Sequence, residues 1–196
     1  MLTLYHAPQS RSSRFIWLLE ELGVDYEIEY VEIRRRDGAG HRDPKNPHPD
    51  GKVPALVHDG VLITESAAIA LYLTDAFPKA GIGAAVGDPL RGPYLTWLAY
   101  YAGVLEPVIA GKFNLLIAET PDQDAAYRAL DERLSTHLEA NDYMVGGRFS
   151  AADILFVSLL QFFRTALPDH ACYDRFLDRL DSRPARKRAL AKDAAR

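Results

Sequence analysis

The stretch from Gly51 to Ser66 constrains the fold more than any other part of this 196-residue chain. Two short runs rich in Val, Ile and Leu, at 55–58 and 61–64, are separated only by Asp59-Gly60. Asp-Gly is typical of a two-residue type I′ turn, because both turn positions require a positive φ angle. The stretch therefore predicts a β-hairpin.

Both ends of this hairpin carry polar groups that the hairpin itself does not pair. Pro54 has no N–H, so it stands at the start or the edge of its strand, and Val53 before it keeps an extended backbone with both polar groups available. Glu65-Ser66 follows the second strand and opens an apolar helix, whose first N–H groups are unpaired and carry partial positive charge. A free backbone edge, a carboxylate, a hydroxyl and exposed amides together favour binding of an anionic ligand.

Three further elements are predicted before the hairpin. They are a strand over 2–5, a helix over 14–22 that ends at Gly23, and an alternating strand over 26–33. The segment 34–50 is polar and rich in Gly and Pro, which predicts a loop whose path the sequence leaves open. Residues 1–78 thus read as an α/β domain.

The remainder of the chain is helical in character. Residues 79–87 contain three glycines and predict a linker, and 88–196 predict an all-α domain that begins with Asp88 as N-cap and Pro89 as N1. Pro107 is expected to interrupt the first helix. Ser150 to Asp153 forms a capping box before a strongly apolar core helix, and the basic end, 183–196, is expected to be a solvated last helix rather than a nucleic-acid-binding tail.

These patterns resemble the glutathione S-transferase superfamily, whose members carry a G-x-V-P-x-L hairpin ending in E-S and an F-S-x-A-D box before a buried central helix. The resemblance implies a thioredoxin-like N-terminal domain followed by an all-α domain. It also implies a cis peptide at Pro54, a Val53 backbone paired with the cysteinyl part of glutathione, and Glu65 and Ser66 on its γ-glutamyl end. Lys52 is expected to reach a carboxylate. The Arg34 to Arg36 run and His41 are candidates for a contact with the glycyl carboxylate, although a solvated loop face is the commoner explanation of such a run.

A glutathione enzyme must keep a bound thiol ionised at neutral pH. The pattern Ser10-Arg11-Ser12-Ser13-Arg14 resembles the S-x-x-S-R start of Ser-type transferases, whose first serine holds the thiolate, and this implies Ser10. Ser12 is the rival, since a one-residue change in loop path would exchange the two, and at least one of the three serines is expected to cap the helix. Tyr5 is a further alternative, which we interpret as packing.

Composition excludes several classes of function. The net charge of −4 gives the molecule no general attraction to nucleic acid, no apolar run is long enough to span a bilayer, and the N-terminus does not resemble a signal peptide. Cys172 is alone, so no internal disulfide or Cys-x-x-Cys pair can form, and the six His residues show no metal-ligand spacing. We therefore expect a cytoplasmic protein without a metal.

The predicted function is that of a homodimeric, detoxifying glutathione transferase that uses glutathione as co-substrate. A small electrophile is expected between the domains, facing an aromatic stripe at positions 94, 97, 100, 101 and 104. A glutathione-dependent isomerase, dehalogenase or peroxidase on the same fold is the alternative. A non-catalytic interaction protein is a third reading, although it has no reason to retain a thiol site.

Overall fold

The computed structural model describes residues 1–112 and 120–194, and its N-terminal part is built on one mixed sheet of four strands. The strands are β1 (Leu2–His6), β2 (Glu27–Tyr30), β3 (Ala55–His58) and β4 (Val61–Ile63), and their order in the sheet is β2-β1-β3-β4. β1 runs parallel to β2 and antiparallel to β3, which in turn pairs antiparallel with β4.

The register of these strands brings the end of β1, the start of β3 and the end of β4 to the same edge of the sheet. Tyr5 near the end of β1 lies opposite Ala55 at the start of β3, and Leu56 lies opposite Ile63 at the end of β4. The segment after β1, the segment before β3 and the segment after β4 therefore leave the sheet at the same edge.

The hairpin forms as its sequence predicts. Asp59 and Gly60 both have positive φ angles, 49° and 82°, as a type I′ turn requires. The Val53–Pro54 peptide is cis. The helices that accompany the sheet are α1 (Ser13–Leu22), which ends at the left-handed Gly23, and α2 (Ser66–Ala76), which is followed by a short 3-10 helix at Pro78–Ala80.

The rest of the described chain is helical. It contains α3 (Arg91–Tyr100), a π-helical turn (Tyr101–Leu105), α4 (Glu106–Lys112), α5 (Pro121–Ala140), α6 (Ala151–Phe163), a 3-10 turn (Arg164–Ala166), α7 (Ala171–Asp181) and α8 (Pro184–Asp193). An α/β part followed by helices confirms the predicted fold class. Within residues 1–112 and 120–194, no helix combines the length and apolarity needed to cross a membrane.

Two helix starts show where local sequence signals succeeded and failed. Ser150 and Asp153 form the predicted capping box, and the buried Asp153 carboxylate also accepts a bond from the Met144 N–H at 2.7 Å. The prediction for Asp88 was wrong, because α3 begins three residues later. The Asp88 carboxylate instead accepts the Leu90 N–H at 2.8 Å and stabilises the turn that precedes the helix.

Pro107 lies in the first turn of α4, directly after the π-helical turn. A proline ring cannot donate to the carbonyl four residues earlier and clashes with it, so the regular helix is interrupted in the preceding turn. The predicted interruption is confirmed.

The chain divides into two compact units, residues 1–82 with 182–196, and residues 83–181. The predicted boundaries assigned the last helix to the helical domain, whereas α8 belongs with the sheet-containing unit. The predicted last helix is present, but one of its faces is buried rather than solvated. Ala185, Arg186 and Ala189 of α8 are buried, and the Arg186 guanidinium lies 4.9 Å from the centre of the Trp17 ring on α1.

Ion pairs fix α8 along α1. The Arg183 guanidinium donates to Glu21 through two bonds of 2.6 and 2.8 Å. The Glu20 carboxylate accepts bonds from three side chains, Arg188 at 2.5 Å, Lys192 at 2.6 Å and Tyr26 at 2.8 Å. Such a partly buried carboxylate with several charged donors is a stronger contact than an isolated surface pair.

The Glu20 network predicts a pH-dependent contribution to stability. Burial opposes ionisation of Glu20, but its three bonds outweigh burial and lower its pKa from the ordinary 4.5 to about 2. Because the pKa is depressed on folding, the contribution is complete above about pH 4.5 and is lost as the pH falls toward 2. Since Arg188 and Lys192 are half exposed, we expect Glu20→Gln to reduce the free energy of unfolding by about 1–3 kcal/mol at neutral pH.

Urea unfolding of both proteins across this pH range measures the effect. The difference between wild type and Glu20→Gln should shrink as the pH falls, and Glu27→Gln, at an exposed position in β2, should cost less than about 0.5 kcal/mol. A difference that stays constant with pH would contradict the assignment.

Candidate functional site

The three strand ends at the sheet edge form a common surface within the sheet-containing unit. Ala7, directly after β1, packs in one buried cluster with Val31 and Val53, and Tyr5 and Ile33 lie against it. The loop that carries the predicted serines thus starts beside the residue predicted to offer a free backbone edge. The side chain of Tyr5 takes part in this packing, in keeping with its interpretation as a structural residue.

Val53 keeps its backbone polar groups available. None of the residues described in the structure forms a hydrogen bond with its N–H or C=O. The segment before it is held by buried Asn46, whose amide donates to the Lys52 carbonyl at 2.9 Å and accepts from the His48 N–H at 3.0 Å. These bonds fix the end of the 34–50 loop against the residue that precedes Val53. The Lys52 ammonium itself is exposed, 3.6 Å from the Asp50 carboxylate.

Glu65 and Ser66 stand at the start of α2 on the same edge. Glu65 has φ 68° and ψ 124°, a backbone conformation that costs a non-glycine residue about 1–3 kcal/mol and that often occurs at functional sites. Its side chain is exposed, and no side chain caps the helix start. Ser66 is nearly buried. Because Glu65 is exposed and the helix start is uncapped, a ligand would meet the Glu65 carboxylate and the first amides of α2 together.

Ser12 is turned into the protein. It occupies the N-cap position of α1, but its hydroxyl makes no capping bond, so Ser12 is not a serine that caps the helix. Its Oγ instead lies 2.8 Å from His6 Nδ1 and 2.7 Å from Ser10 Oγ, and it accepts the Ala7 N–H at 3.2 Å. Ser12 is fully buried, whereas Ser10 is partly exposed. Of the two candidates, Ser10 is therefore the one that a ligand can approach.

The third serine of the loop contacts the far end of the chain. The Ser13 hydroxyl donates to Asp193 Oδ1 at 2.6 Å, and Asp193 is the last residue of α8. The Asp193 carboxylate also accepts the Gln9 N–H at 3.4 Å. The docked terminal helix thus places a negative charge under the serine loop.

His6 joins this carboxylate to the serines. Its ring is fully buried, and its Nε2 lies 3.1 Å from Asp193 Oδ1, a close contact that is not aligned as a hydrogen bond. Burial alone would raise the pKa of the Asp193 carboxyl, but the adjacent His6 ring and the bonds from the Ser13 hydroxyl and the Gln9 N–H hold that pKa below its usual range. Asp193 is therefore ionised at neutral pH.

Sequence reasoning missed both His6 and Asp193. His6 stands only six residues before Ser12, so its proximity to the serine loop is a local signal. Asp193 carried no such signal, because its place depends on the docking of α8.

The aromatic stripe predicted to face an electrophile is mostly core of the helical unit. Tyr94, Trp97 and Tyr101 are buried there. Tyr100 lies beneath the Arg133 guanidinium, 4.1 Å from its ring centre, and Val104 is partly exposed. Packing therefore accounts for the larger members of the stripe.

Comparison with known proteins gives a consistent result for both units. Family models described as the glutathione S-transferase N-terminal and C-terminal domains match residues 1–75 and 117–191. Glutathione S-transferase 3 of Schizosaccharomyces pombe is 30% identical, over 78% of this chain and 70% of the relative. The disulfide-bond oxidoreductase YfcG of Escherichia coli is 29% identical, over 98% of this chain and 95% of the relative.

A solved structure extends the similarity over the full length. A sphingomonad glutathione S-transferase complexed with glutathione superposes with a TM-score of 0.80 and 28% sequence identity, over 99% of this chain and 100% of the other.

Proposed function

Because the chain belongs to the glutathione S-transferase family, we propose that it binds glutathione at the edge where β1, β3 and β4 meet and activates its thiol for attack on a small electrophile. The observation that carries the proposal is the meeting of three groups at this edge. They are the available Val53 backbone, the Glu65 carboxylate at the start of α2, and the hydroxyl of Ser10. Each suits a different part of the tripeptide.

The binding roles follow from the chemistry of glutathione. The Val53 N–H and C=O pair with the backbone of the cysteinyl residue, in the manner of an added strand. The Glu65 carboxylate takes the ammonium of the γ-glutamyl end, and the Ser66 hydroxyl with the first amides of α2 takes its carboxylate. The Lys52 ammonium can bind a carboxylate of the peptide. Pro54 has no N–H, so it does not compete with Val53 for the cysteinyl backbone of glutathione.

The Ser10 hydroxyl stabilises the thiolate. A free thiol has a pKa near 8.5, and lowering it by about two units requires roughly 2.7 kcal/mol. A hydrogen bond to a charged group contributes about 1.5–3 kcal/mol. One well-placed hydroxyl is therefore sufficient, and Ser10 Oγ is oriented for the task by bonds from the Ser12 N–H at 3.2 Å and with the Ser12 hydroxyl at 2.7 Å.

A glutathione-dependent disulfide reductase is the second candidate. It is favoured by the similarity to the oxidoreductase YfcG over nearly the whole of both chains. Both reactions start from the same bound thiolate. Parallel assays with an aryl halide and with a small mixed disulfide separate them, and glutathione binding without turnover of either would favour a non-catalytic role.

We include a homodimer in the proposal. β4 is an edge strand whose Val61 and Leu62 are exposed, and Tyr72 of α2 is also partly exposed, so the sheet-containing unit presents apolar surface suited to a second copy. Light scattering should give twice the chain mass of 21.9 kDa. A mass equal to one chain at micromolar concentration would contradict the dimer.

Ser10→Ala tests the thiolate assignment. Removing the hydroxyl should raise the pKa of bound glutathione by about one to two units, since one unit corresponds to about 1.36 kcal/mol. Thiolate absorbance as a function of pH measures this, and calorimetry should show glutathione affinity largely retained. Tyr5→Phe is the control and should leave the thiolate pKa unchanged. An unaltered pKa in Ser10→Ala would remove Ser10 from its role.

Glu65→Gln tests the placement of the peptide. The variant keeps the side-chain shape but loses the charge that holds the ammonium, so glutathione binding should weaken by about 1–3 kcal/mol. KM for glutathione should rise more than kcat falls, because the thiol chemistry is untouched. Glu27→Gln should leave both constants unchanged. Unchanged affinity in Glu65→Gln would mean that glutathione binds elsewhere.

A further inference from the structure

We propose that His6 and Asp193 form, with Ser12 and Ser10, a proton relay that accepts the thiol proton of glutathione. The inference rests on the proposed function, because it concerns how the same bound thiol becomes a thiolate. Ser10 is the catalytic residue, since it touches the sulfur, and Ser12, His6 and Asp193 act through it as positioning residues.

The four side chains form a continuous series of short contacts. Ser10 Oγ lies 2.7 Å from Ser12 Oγ, and Ser12 Oγ lies 2.8 Å from His6 Nδ1. His6 Nε2 lies 3.1 Å from Asp193 Oδ1. Ser12 and His6 are fully buried, so water does not interrupt the middle of the series, and its two ends, Ser10 and Asp193, are partly exposed.

The direction of each hydrogen bond follows from which groups can donate. The contact of His6 Nε2 with Asp193 is not aligned as a hydrogen bond, but a nitrogen lone pair facing an ionised carboxylate would be repelled, so the Nε2 that faces Asp193 carries the hydrogen. The relay requires a neutral ring before the transfer, and in that tautomer Nδ1 is the acceptor to which the Ser12 hydroxyl donates. This bond is shorter than the alternative contact of Ser12 Oγ with the Ala7 carbonyl, which is 3.3 Å long.

The hydroxyl hydrogen of Ser12 is thus donated to His6. The other hydrogen bonds of this hydroxyl must therefore be ones that its oxygen accepts. Ser12 Oγ accepts the Ala7 N–H and the Ser10 hydroxyl, which fills both of its lone pairs. Ser10 Oγ in turn accepts the Ser12 N–H, and one lone pair is left. That lone pair is positioned to accept a hydrogen bond from a thiol.

After proton transfer along this series, every hydroxyl and ring nitrogen that takes part still has a hydrogen-bond partner. The thiol S–H bond breaks and its proton goes to Ser10 Oγ, the Ser10 hydrogen passes to Ser12 Oγ, and the Ser12 hydrogen passes to His6 Nδ1. The products are a thiolate and an imidazolium, with no change in oxidation state. Each hydroxyl now donates outward, so Ser10 donates to the thiolate it has just generated.

Asp193 compensates the charge that appears on His6. A buried imidazolium without a counter-charge is costly, and a carboxylate in direct contact offsets that cost. Of the titratable groups that face the ring, Asp193 comes from α8, and Tyr30 of β2 meets it edge-on with 5.5 Å between ring centres. The α1–α8 ion pairs hold Asp193 in this place, so the terminal helix takes part in the chemistry.

The decisive experiment asks where the thiol proton goes. Glutathione is titrated into the wild-type protein near pH 7 in buffers of different ionisation enthalpy, while absorbance reports the thiolate. With the relay, thiolate forms with almost no proton released to the buffer. Without it, about one proton is released for each thiolate formed, because the free thiol is largely protonated at that pH. That second result would overturn the proposal.

The outcome separates the relay from the function on which it rests. If the wild type binds no glutathione, or forms no thiolate, the proposed function itself fails and the relay with it. If thiolate forms and the proton enters the buffer, the function stands and only the relay is wrong. This measurement uses the unaltered chain, so it does not depend on whether a variant folds.

Two variants locate the proton acceptor. His6→Asn keeps a polar group beside Ser12 but cannot take up a proton, and Asp193→Asn removes the counter-charge. Both should raise the pKa of bound glutathione by about one unit or more, and the thiolate that still forms in His6→Asn should release its proton to the buffer. Tyr30→Phe is the matched control, because it removes the 2.8 Å bond to the Lys192 carbonyl beside Asp193 and leaves the relay intact. Wild-type thiolate pKa in both relay variants would overturn the assignment.

Discussion

The pairing of β1 with β3 is the contact on which the site depends. Tyr5 lies opposite Ala55, and this register brings the end of one strand beside the start of the other. A shift by one residue would turn every side chain of the strand to the opposite face of the sheet and would separate Ala7 from Val53. The buried cluster of Ala7, Val31 and Val53 opposes such a shift, because it exists only in the observed register. The serine loop and the available backbone of Val53 therefore meet as a consequence of sheet pairing.

The second determinant comes from the opposite end of the sequence. α8 lies along α1, fixed by the ion pairs of Glu20 and Glu21 and by Arg186 over Trp17. Its last residue, Asp193, contacts both Ser13 and His6. The stability of this helix contact and the electrostatics of the serine loop are consequently linked, so that weakening the contact would also withdraw the carboxylate from His6.

The parts of the fold that depend on local chemistry were predictable from the sequence. The Asp59-Gly60 turn, the stop at Gly23 and the Ser150–Asp153 box each depend on a few neighbouring residues with one preferred geometry. The candidate residues at the sheet edge came from the resemblance to the family, and the register of the strands brings the segments that carry them to one edge.

The parts that depend on tertiary contacts were not predictable. A serine before a helix usually caps it, but Ser12 turns inward because buried His6 and Ala7 offer its hydroxyl better partners. From the sequence, the basic residues of α8 resemble a solvated surface, because only the folded structure places Glu20 and Glu21 opposite them. The contacts of His6 and Asp193 with the serine loop exist only after folding has brought these distant segments together.

The most direct test of the account is the crystal structure of the protein with glutathione. We expect the sulfur within hydrogen-bonding distance of Ser10 Oγ, the cysteinyl backbone paired with Val53, and the γ-glutamyl ammonium on the Glu65 carboxylate. Glutathione bound away from this sheet edge, or bound there with its sulfur directed away from Ser10, would contradict it.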